Sequence, residues 1–368
     1  MEGIISLILL MYSTLMIYYH HALKKLLIST ENGSISDLSI DLVIAYRNEE
    51  QNISQLLDDL QQLDKGSIQL TIYLIDDHSM DDGSRIIGEF LKDASLNIEH
   101  IHLFDGVGKK AAIRAVLPQL EGDWILFSDA DCRMGKGWLK SYQATIQQNP
   151  ESVCVLGPVS LSGKNDLFHR LQQLEFLSLQ ASTAAACLSG YPIMCNGANW
   201  MVKRANYLGS ISEIKDQLAS GDDMFVLHAL KKLNAQNIVY NNHIEAVVTT
   251  AVSERFLSFW QQRMRWTAKS KYYTDMTTLS ISALVLLANI SFLVAFLFVF
   301  STPGLFWYML AKLGSEFLLI QRYANFFNER SLLKDYPFLA FFYPLYIVLI
   351  VWSSIFVKFQ WKDRSYKA

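Results

Sequence analysis

Three charge-free runs frame this 368-residue chain, at residues 3–19, 276–311 and Tyr336–Val357. A bilayer core takes roughly 20 apolar residues to cross, within a range of about 17–25. The first run is just long enough, and residues 276–301 are comfortably so. Everything that folds in water must therefore come from about 30–275, a stretch of ordinary composition and the size of one α/β domain. This division, more than the overall 51% hydrophobic content, sets the expected organisation: an N-terminal transmembrane anchor at 1–25, a soluble domain at 38–270, transmembrane or interfacial helices over 276–357, and a basic tail at 358–368.

The N-terminal run has no basic residues ahead of it, and His20-His21-Ala22-Leu23-Lys24-Lys25 is not a small-residue cleavage site, so it reads as an uncleaved anchor. Lys24 and Lys25 follow the run while only Glu2 precedes it, which places the soluble domain in the cytoplasm by the positive-inside tendency. Cys132, Cys154, Cys187 and Cys195 form no CxxC pair; in the cytoplasm they read as reduced and structural, without a disulfide framework or a zinc site. A net charge of −3 argues against a nucleic-acid binder. At the C-terminal end, spans at 276–301, about 305–320 and 337–357 would leave Lys358, Lys362, Arg364 and Lys367 outside, against the same tendency. Lys312 and Glu316 are costly in lipid unless paired, as their i,i+4 spacing permits. One of the three segments therefore reads as re-entrant or interfacial.

Within the soluble stretch, strands alternate with helices. Ile40–Ala45 is an apolar run feeding Tyr46-Arg47-Asn48-Glu49-Glu50, then a helix Asn52–Leu63 with leucines at 56, 57, 60 and 63. Leu70–Ile75 is a second strand and Ser84–Leu91 a helix. Ile98–Leu103, helix Ala111–Leu120 and strand Trp124–Ser128 follow. This alternation predicts a parallel sheet with crossover helices, whose ligand crevice lies beyond the carboxyl ends of the strands. The polar clusters fall at those ends. Beyond about 150 the pattern loosens: Val153–Val159 reads as a strand, Asp166–Ala186 as a helix, and Met194–Val202 is broken by glycine.

Each cluster has a bland reading as well. Asp76-Asp77 opens an acidic turn rich in Asp, Ser and Gly, the usual turn formers, but a carboxylate ending a strand can also accept a base N–H or ribose hydroxyls. Asp129-Ala130-Asp131 ends another strand, and alternating carboxylates suit Mg²⁺ or Mn²⁺ bridging two phosphates. Gly108-Lys109-Lys110 precedes a helix, where a lysine is either solvated or set to meet phosphate or a base carbonyl. Gly221-Asp222-Asp223 opens the helix MFVLHALKKL, where Asp is also a preferred N-cap. Gln262-Arg263-Met264-Arg265-Trp266 lies in a helical stretch, Phe256–Lys271, whose plain alternative is a basic interfacial helix.

Taken in order, VIAYRNEE, IDDHSMDDG, GKKAAI, FSDAD, CNGANW, SGDDMF and QRMRW resemble the membrane-bound family 2 glycosyltransferases, the group of cellulose synthase, hyaluronan synthase and ceramide glucosyltransferase. The resemblance covers about residues 38–270. It implies a GT-A fold, a UDP- or GDP-sugar donor, a divalent cation and inversion at the anomeric carbon. Carried over by motif, Ala45, Arg47, Glu49 and Asp77 would hold the nucleoside, with Lys109 near the base or phosphates. Asp129 would contact ribose or phosphate and Asp131 the metal. Asp223 would be the base, and Gln262, Arg265 and Trp266 would frame the acceptor and diphosphate. The third motif reads Gly-Asp-Asp where Glu-Asp is commoner, which makes Asp222 a second contributor. The tail Trp361–Tyr366 is similar to a WKGRxY-like tail, with Asp363 in the glycine place.

The expectation is thus an α/β, GT-A enzyme with N- and C-terminal transmembrane helices at a bacterial-type inner membrane. It would glycosylate a lipid or polysaccharide acceptor, by single transfer rather than as a processive synthase, because few spans are available for a polymer channel. A sugar-1-phosphate nucleotidyltransferase would need neither Gln262–Trp266 nor the anchors, and a non-enzymatic scaffold would need no carboxylates at strand ends.

Overall fold

A computed structural model describes residues 1–27, 37–214, 221–356, 359–361 and 364–366. The strands are β1 (Leu38–Tyr46), β2 (Ile68–Asp76), β3 (Ile98–His102), β4 (Trp124–Asp129), β5 (Arg133–Met134), β6 (Cys154–Leu156), β7 (Val159–Ser162), β8 (Asn199–Lys203), β9 (Ile238–Tyr240) and β10 (Val248–Ala251). The helices through the middle of the chain are α1 (Glu2–Ala22), α2 (Glu50–Gln62), α3 (Gly83–Phe90), α4 (Lys109–Val116), α5 (Trp138–Gln148), α6 (Leu167–Leu188), α7 (Arg204–Ser210) and α8 (Asp222–Asn234). Then follow α9 (Phe256–Ala268), α10 (Met276–Phe298), α11 (Gly304–Phe326) and α12 (Tyr336–Phe356), with a closing hairpin of Phe359–Trp361 and Arg364–Tyr366. Lys358, Lys362, Asp363 and Lys367, which the tail reading invoked, lie outside the described residues.

The chain divides into two compact units. One comprises residues 29–160 and 194–251, the other 1–28, 161–193 and 252–368. The interval 38–270 is thus shared between them.

The first unit is built on a seven-stranded sheet ordered β3-β2-β1-β4-β8-β6-β9. Strands β1 to β4 are parallel, as the βα alternation predicts. The all-parallel expectation fails at β8, which runs antiparallel to both β4 and β6. Hydrophobic alternation reports which face of a strand is buried and says nothing of its direction. The predicted strand 153–159 is interrupted at Gly157-Pro158, where Asn199 intervenes. Its side-chain amide donates to Pro158 O at 2.6 Å and to Ala246 O at 2.8 Å. Its Oδ1 accepts from Trp138 Nε1 and the Tyr142 hydroxyl. Helix α2 buries Ile53, Leu56, Leu57 and Leu60, the stripe its leucine spacing announced.

The second unit is helical. Asp166 caps α6 by accepting from His169 N at 3.0 Å. Glu2–Leu26, Met276–Phe298 and Arg330–Phe356 are long and apolar enough to cross a membrane. Helix α11 is a single 23-residue helix in which Lys312 and Glu316 pair at 2.7 Å, as their spacing permitted. The Tyr12 hydroxyl of α1 donates to the same Glu316 oxygen at 2.7 Å. Further along, Arg322 donates to His20 O, so α11 runs beside α1 in the same direction. Lys312 is 1% exposed and its ammonium lies over the rings of Tyr12 and Phe292.

Candidate active site

Strand register brings the polar clusters to one edge of the sheet. Tyr46 pairs with Asp76, Asp76 with His102, and Ala45 with Asp129. The loops beyond β1 and β2 are tied reciprocally: Arg47 Nη1 donates to Asp77 O, Met80 N to Asn48 Oδ1, Glu50 N to Asp81 Oδ2, and Asp82 N back to Glu50 Oε2. Asn48 and His78 take left-handed φ values of 52° and 58° to make these turns, which few residues other than glycine and Asn tolerate well. Glu49 precedes α2 and accepts from Asn52 Nδ2.

The two aspartates at 76 and 77 do different work. Asp76 spends both oxygens internally, on Ser79 N at 2.8 Å and the Ser84 hydroxyl at 2.6 Å. Burial alone would raise its carboxyl, but these donors hold it below the usual range. The turn reading is therefore correct for Asp76. Asp77 is also buried and takes a contact from His78 Nδ1 at 3.2 Å.

At the end of β4, Lys109 Nζ donates to Asp129 Oδ1 at 2.5 Å and to Gly197 O at 3.1 Å. Burial would lower this lysine, yet the carboxylates of Asp129 and Asp222 hold it above its ordinary value. Asp131 is exposed and accepts from the Thr250 hydroxyl at 3.2 Å. Oxygens of Asp129 and Asp131 and the Cys132 sulfur lie within 4.8 Å of one another. Burial, then Asp131 and Asp129, push the Cys132 thiol well up, so it is a poor ligand beside carboxylates that suit a hard cation. The oxygen donors fit Mg²⁺ or Mn²⁺; the sulfur belongs to the core.

Gly221, at φ 100°, precedes α8, so the N-cap position is glycine and both aspartates enter the first helical turn. Asp223 Oδ2 accepts from Gly197 N at 2.9 Å and Oδ1 from Met224 N at 2.8 Å. Asp222 is held above the ordinary carboxyl range, by burial first and the Asp223 charge second. Gly197 thus joins two motifs, its carbonyl to Lys109 and its N–H to Asp223. A Cβ there would lie 3.3 Å from Asp223 Oδ2. Sequence reasoning gave Gly197 and Thr250 no role. The glycine break at 194–202 was the available signal for the first, and nothing marked the second.

Gln262, Arg265 and Trp266 belong to α9, in the helical unit. They lie at i, i+3 and i+4, on adjoining turns of one helix face. Gln262 Oε1 accepts from Arg263 Nη1 at 2.5 Å, and the Trp266 ring packs on Phe176.

This mixed sheet, with an acidic pair closing its central strand, is the GT-A fold of a glycosyltransferase. More narrowly, residues 41–207 match the Glycosyl transferase family 2 model, and the chain carries a family 2 glycosyltransferase domain. That sets aside the nucleotidyltransferase and scaffold readings. A beta-monoglucosyldiacylglycerol synthase of Nostoc sp. is 27% identical over 239 residues, 64% of this chain and 49% of its own. An N-acetylglucosaminyltransferase of Rhizobium meliloti is 24% identical over 271 residues, 72% of this chain and 63% of its own. The chain spans about half the length of the first of these relatives. A mannosyltransferase of Pyrobaculum calidifontis, solved with GDP-Man and Mn²⁺, shares the fold, with a TM-score of 0.54 at 15% identity over 92% of this chain and 99% of its own.

Proposed function

We propose that this chain is an inverting, membrane-bound glycosyltransferase that moves a sugar from a UDP- or GDP-sugar to a lipid or glycan acceptor. The carrying observation is a run of groups along one sheet edge: Asp131 beside Asp129, then hydrogen bonds linking Asp129, Lys109, Gly197 and Asp223. Cation-binding and phosphate-binding groups stand at one end of it and a carboxylate at the other. Ala45, Arg47, Glu49 and Asp77 hold the nucleoside at the β1 and β2 ends. Asp129 and Lys109 meet ribose and phosphate, and Asp131 holds the cation.

Asp131 would hold Mg²⁺ or Mn²⁺, which when bound would offset the charge on the departing diphosphate. Lys109, kept charged, supplies a second positive group for the same phosphates. Asp223 takes the proton of the acceptor hydroxyl as its oxygen attacks the anomeric carbon and the nucleoside diphosphate leaves from the opposite face. A carboxylate oxygen carries more than one lone pair, so accepting a backbone N–H does not by itself bar it from taking that proton. Gln262, Arg265 and Trp266 frame the acceptor and diphosphate.

Three helices of spanning length and composition support a multi-pass protein, and Lys24-Lys25 support a cytoplasmic catalytic domain at a bacterial-type inner membrane. The pairing of Lys312 with Glu316 beside α1 supports placing α11 in the bilayer as well. The Nostoc synthase, named for a glucosyl lipid product, supports a lipid acceptor, and with it single transfer over processive synthesis. The test is purified protein in lipid, offered a panel of nucleotide sugars, with nucleoside diphosphate release followed with and without membrane extract. Extract-stimulated release with one sugar nucleotide is expected. Release indistinguishable from an Asp223→Asn control across the panel would defeat the reading.

A further inference from the structure

Arg263 was the one residue of Gln262–Trp266 besides Met264 with no role in view, and it is heavily engaged. It is 3% exposed, and Glu175 of α6 is 4% exposed. Arg263 Nη2 lies 2.6 Å from Glu175 Oε2, and Nε lies 3.2 and 3.3 Å from the two carboxylate oxygens. The Tyr346 hydroxyl of α12 donates to Glu175 Oε1 at 3.4 Å. With its charge neutralised at one edge, the guanidinium spends its other groups on α9 itself. Its Nη1 donates to Gln262 Oε1 at 2.5 Å. The guanidinium lies over the rings of Phe259 and Trp266, its central carbon 4.7 and 4.3 Å from their centroids.

We propose that Arg263, gripped by Glu175, is a positioning residue that holds Gln262 and Trp266 in their working orientation. This rests on the reading that those two side chains serve transfer. The geometry goes beyond what an anchoring ion pair needs. A buried pair that only fastens α9 to α6 can be replaced by apolar residues of similar volume without loss of stability. Gln262 and Trp266 are held by one planar, forked cation that meets Glu175 at one edge, Gln262 at another and the indole between them. Lysine keeps a charge and donors but has no rigid fork to span these partners at once. Glu175 stands 88 residues away in sequence, and it sets where the fork sits. Without it, Gln262 and Trp266 keep their helix but lose their rotamers.

Two sets of variants test this. The double variant Glu175→Leu/Arg263→Met is expected to unfold no more easily than the wild type, yet to lose transfer on the order of 10²-fold, the scale of a misplacement of about 1 Å. Wild-type transfer in that variant would overturn the proposal. Should it fail to fold, Arg263→Lys decides, read in a cycle with Gln262→Ala. Residues acting through one another are non-additive, so Arg263→Lys should lower kcat strongly in the wild type and little in the Gln262→Ala background. A merely structural arginine would cost the same in both backgrounds, and that additivity would overturn the proposal alone. If Gln262→Ala and Trp266→Ala each transferred normally, the role given to the motif would fall, and this inference with it.

Discussion

Asp223→Asn separates chemistry from structure at the candidate base. In the native protein both carboxylate oxygens accept a backbone N–H, from Gly197 at 2.9 Å and from Met224 at 2.8 Å. Asparagine offers one oxygen, so one N–H must face an amide NH₂. A hydrogen bond to a charged group contributes about 1.5–3 kcal/mol, and the variant should lose stability of that order. A domain with roughly 5–15 kcal/mol of stability stays folded after such a loss. The missing base is a separate and larger effect: positioned general bases contribute about 10²–10⁴-fold, or about 2.7–5.4 kcal/mol at ~1.36 kcal/mol per decade. Turnover should therefore fall at least about 100-fold in protein that is still native. Donor affinity should shift only slightly, through the Gly197 carbonyl that Lys109 shares. The assay is nucleoside diphosphate release at saturating donor and acceptor, with an unfolding transition measured on the same sample. Wild-type turnover in Asp223→Asn would refute the reasoning. If Asp222→Asn failed in its place, the base moves by one residue; if both stayed active, the motif holds no base.

Other outcomes follow from single contacts. Asp131→Ala should abolish transfer and Mn²⁺ binding, and a chelator should mimic it in the wild type; full activity in excess EDTA would exclude the cation. Asp76 titrates below its ordinary value of 3.8, so its charge stabilises the native state above that pH and the benefit is lost as pH falls through the lowered native value. The stability gap between wild type and Asp76→Asn should thus close on acidification below about pH 4, and a gap constant from pH 7 to pH 3 would contradict the assignment. All four cysteines are buried, so a cysteine introduced by Glu151→Cys gives a clean topology probe. Its labelling in intact cells by an impermeant maleimide would place the domain outside.

The polar clusters at the ends of β1, β2 and β4, where the donor is proposed to bind, were legible because their information is local. Each of β1, β2 and β4 is an apolar run that stops at a polar cluster, and the strands extend the predicted bounds by only a residue or two. Parallel pairing then aligns the ends without further instruction. The direction of β8, the interruption at Gly157-Pro158 and the tie from Lys109 to Gly197 depend on partners 40 to 90 residues apart, and no periodicity encodes them. The same limit explains Arg263. Its i,i+3 neighbour Trp266 was in view, but burial by a glutamate on another helix left no trace in the local pattern. Asp76 and Asp77 looked equivalent as neighbours. Only the hydroxyl and amide around Asp76 mark it as the turn-former of the two.

Reversing β8 has a consequence for how such a protein diversifies. In a parallel sheet every loop at the reactive edge leaves a strand, so changing one disturbs the helix that follows. Here the segment at 194–198 arrives at that edge before β8 begins, and Ser128 at the end of β4 pairs with Asn199 at the start of β8. The buried amide of Asn199 locks the strand behind it. Ahead of that clamp Gly197 is pinned as well, its carbonyl to Lys109 and its N–H to Asp223, so variation in residues 194–198 is confined to changes that keep both ties. On the proposed assignment, a new acceptor can then be admitted only by changes that leave the Gly197 carbonyl in reach of Lys109.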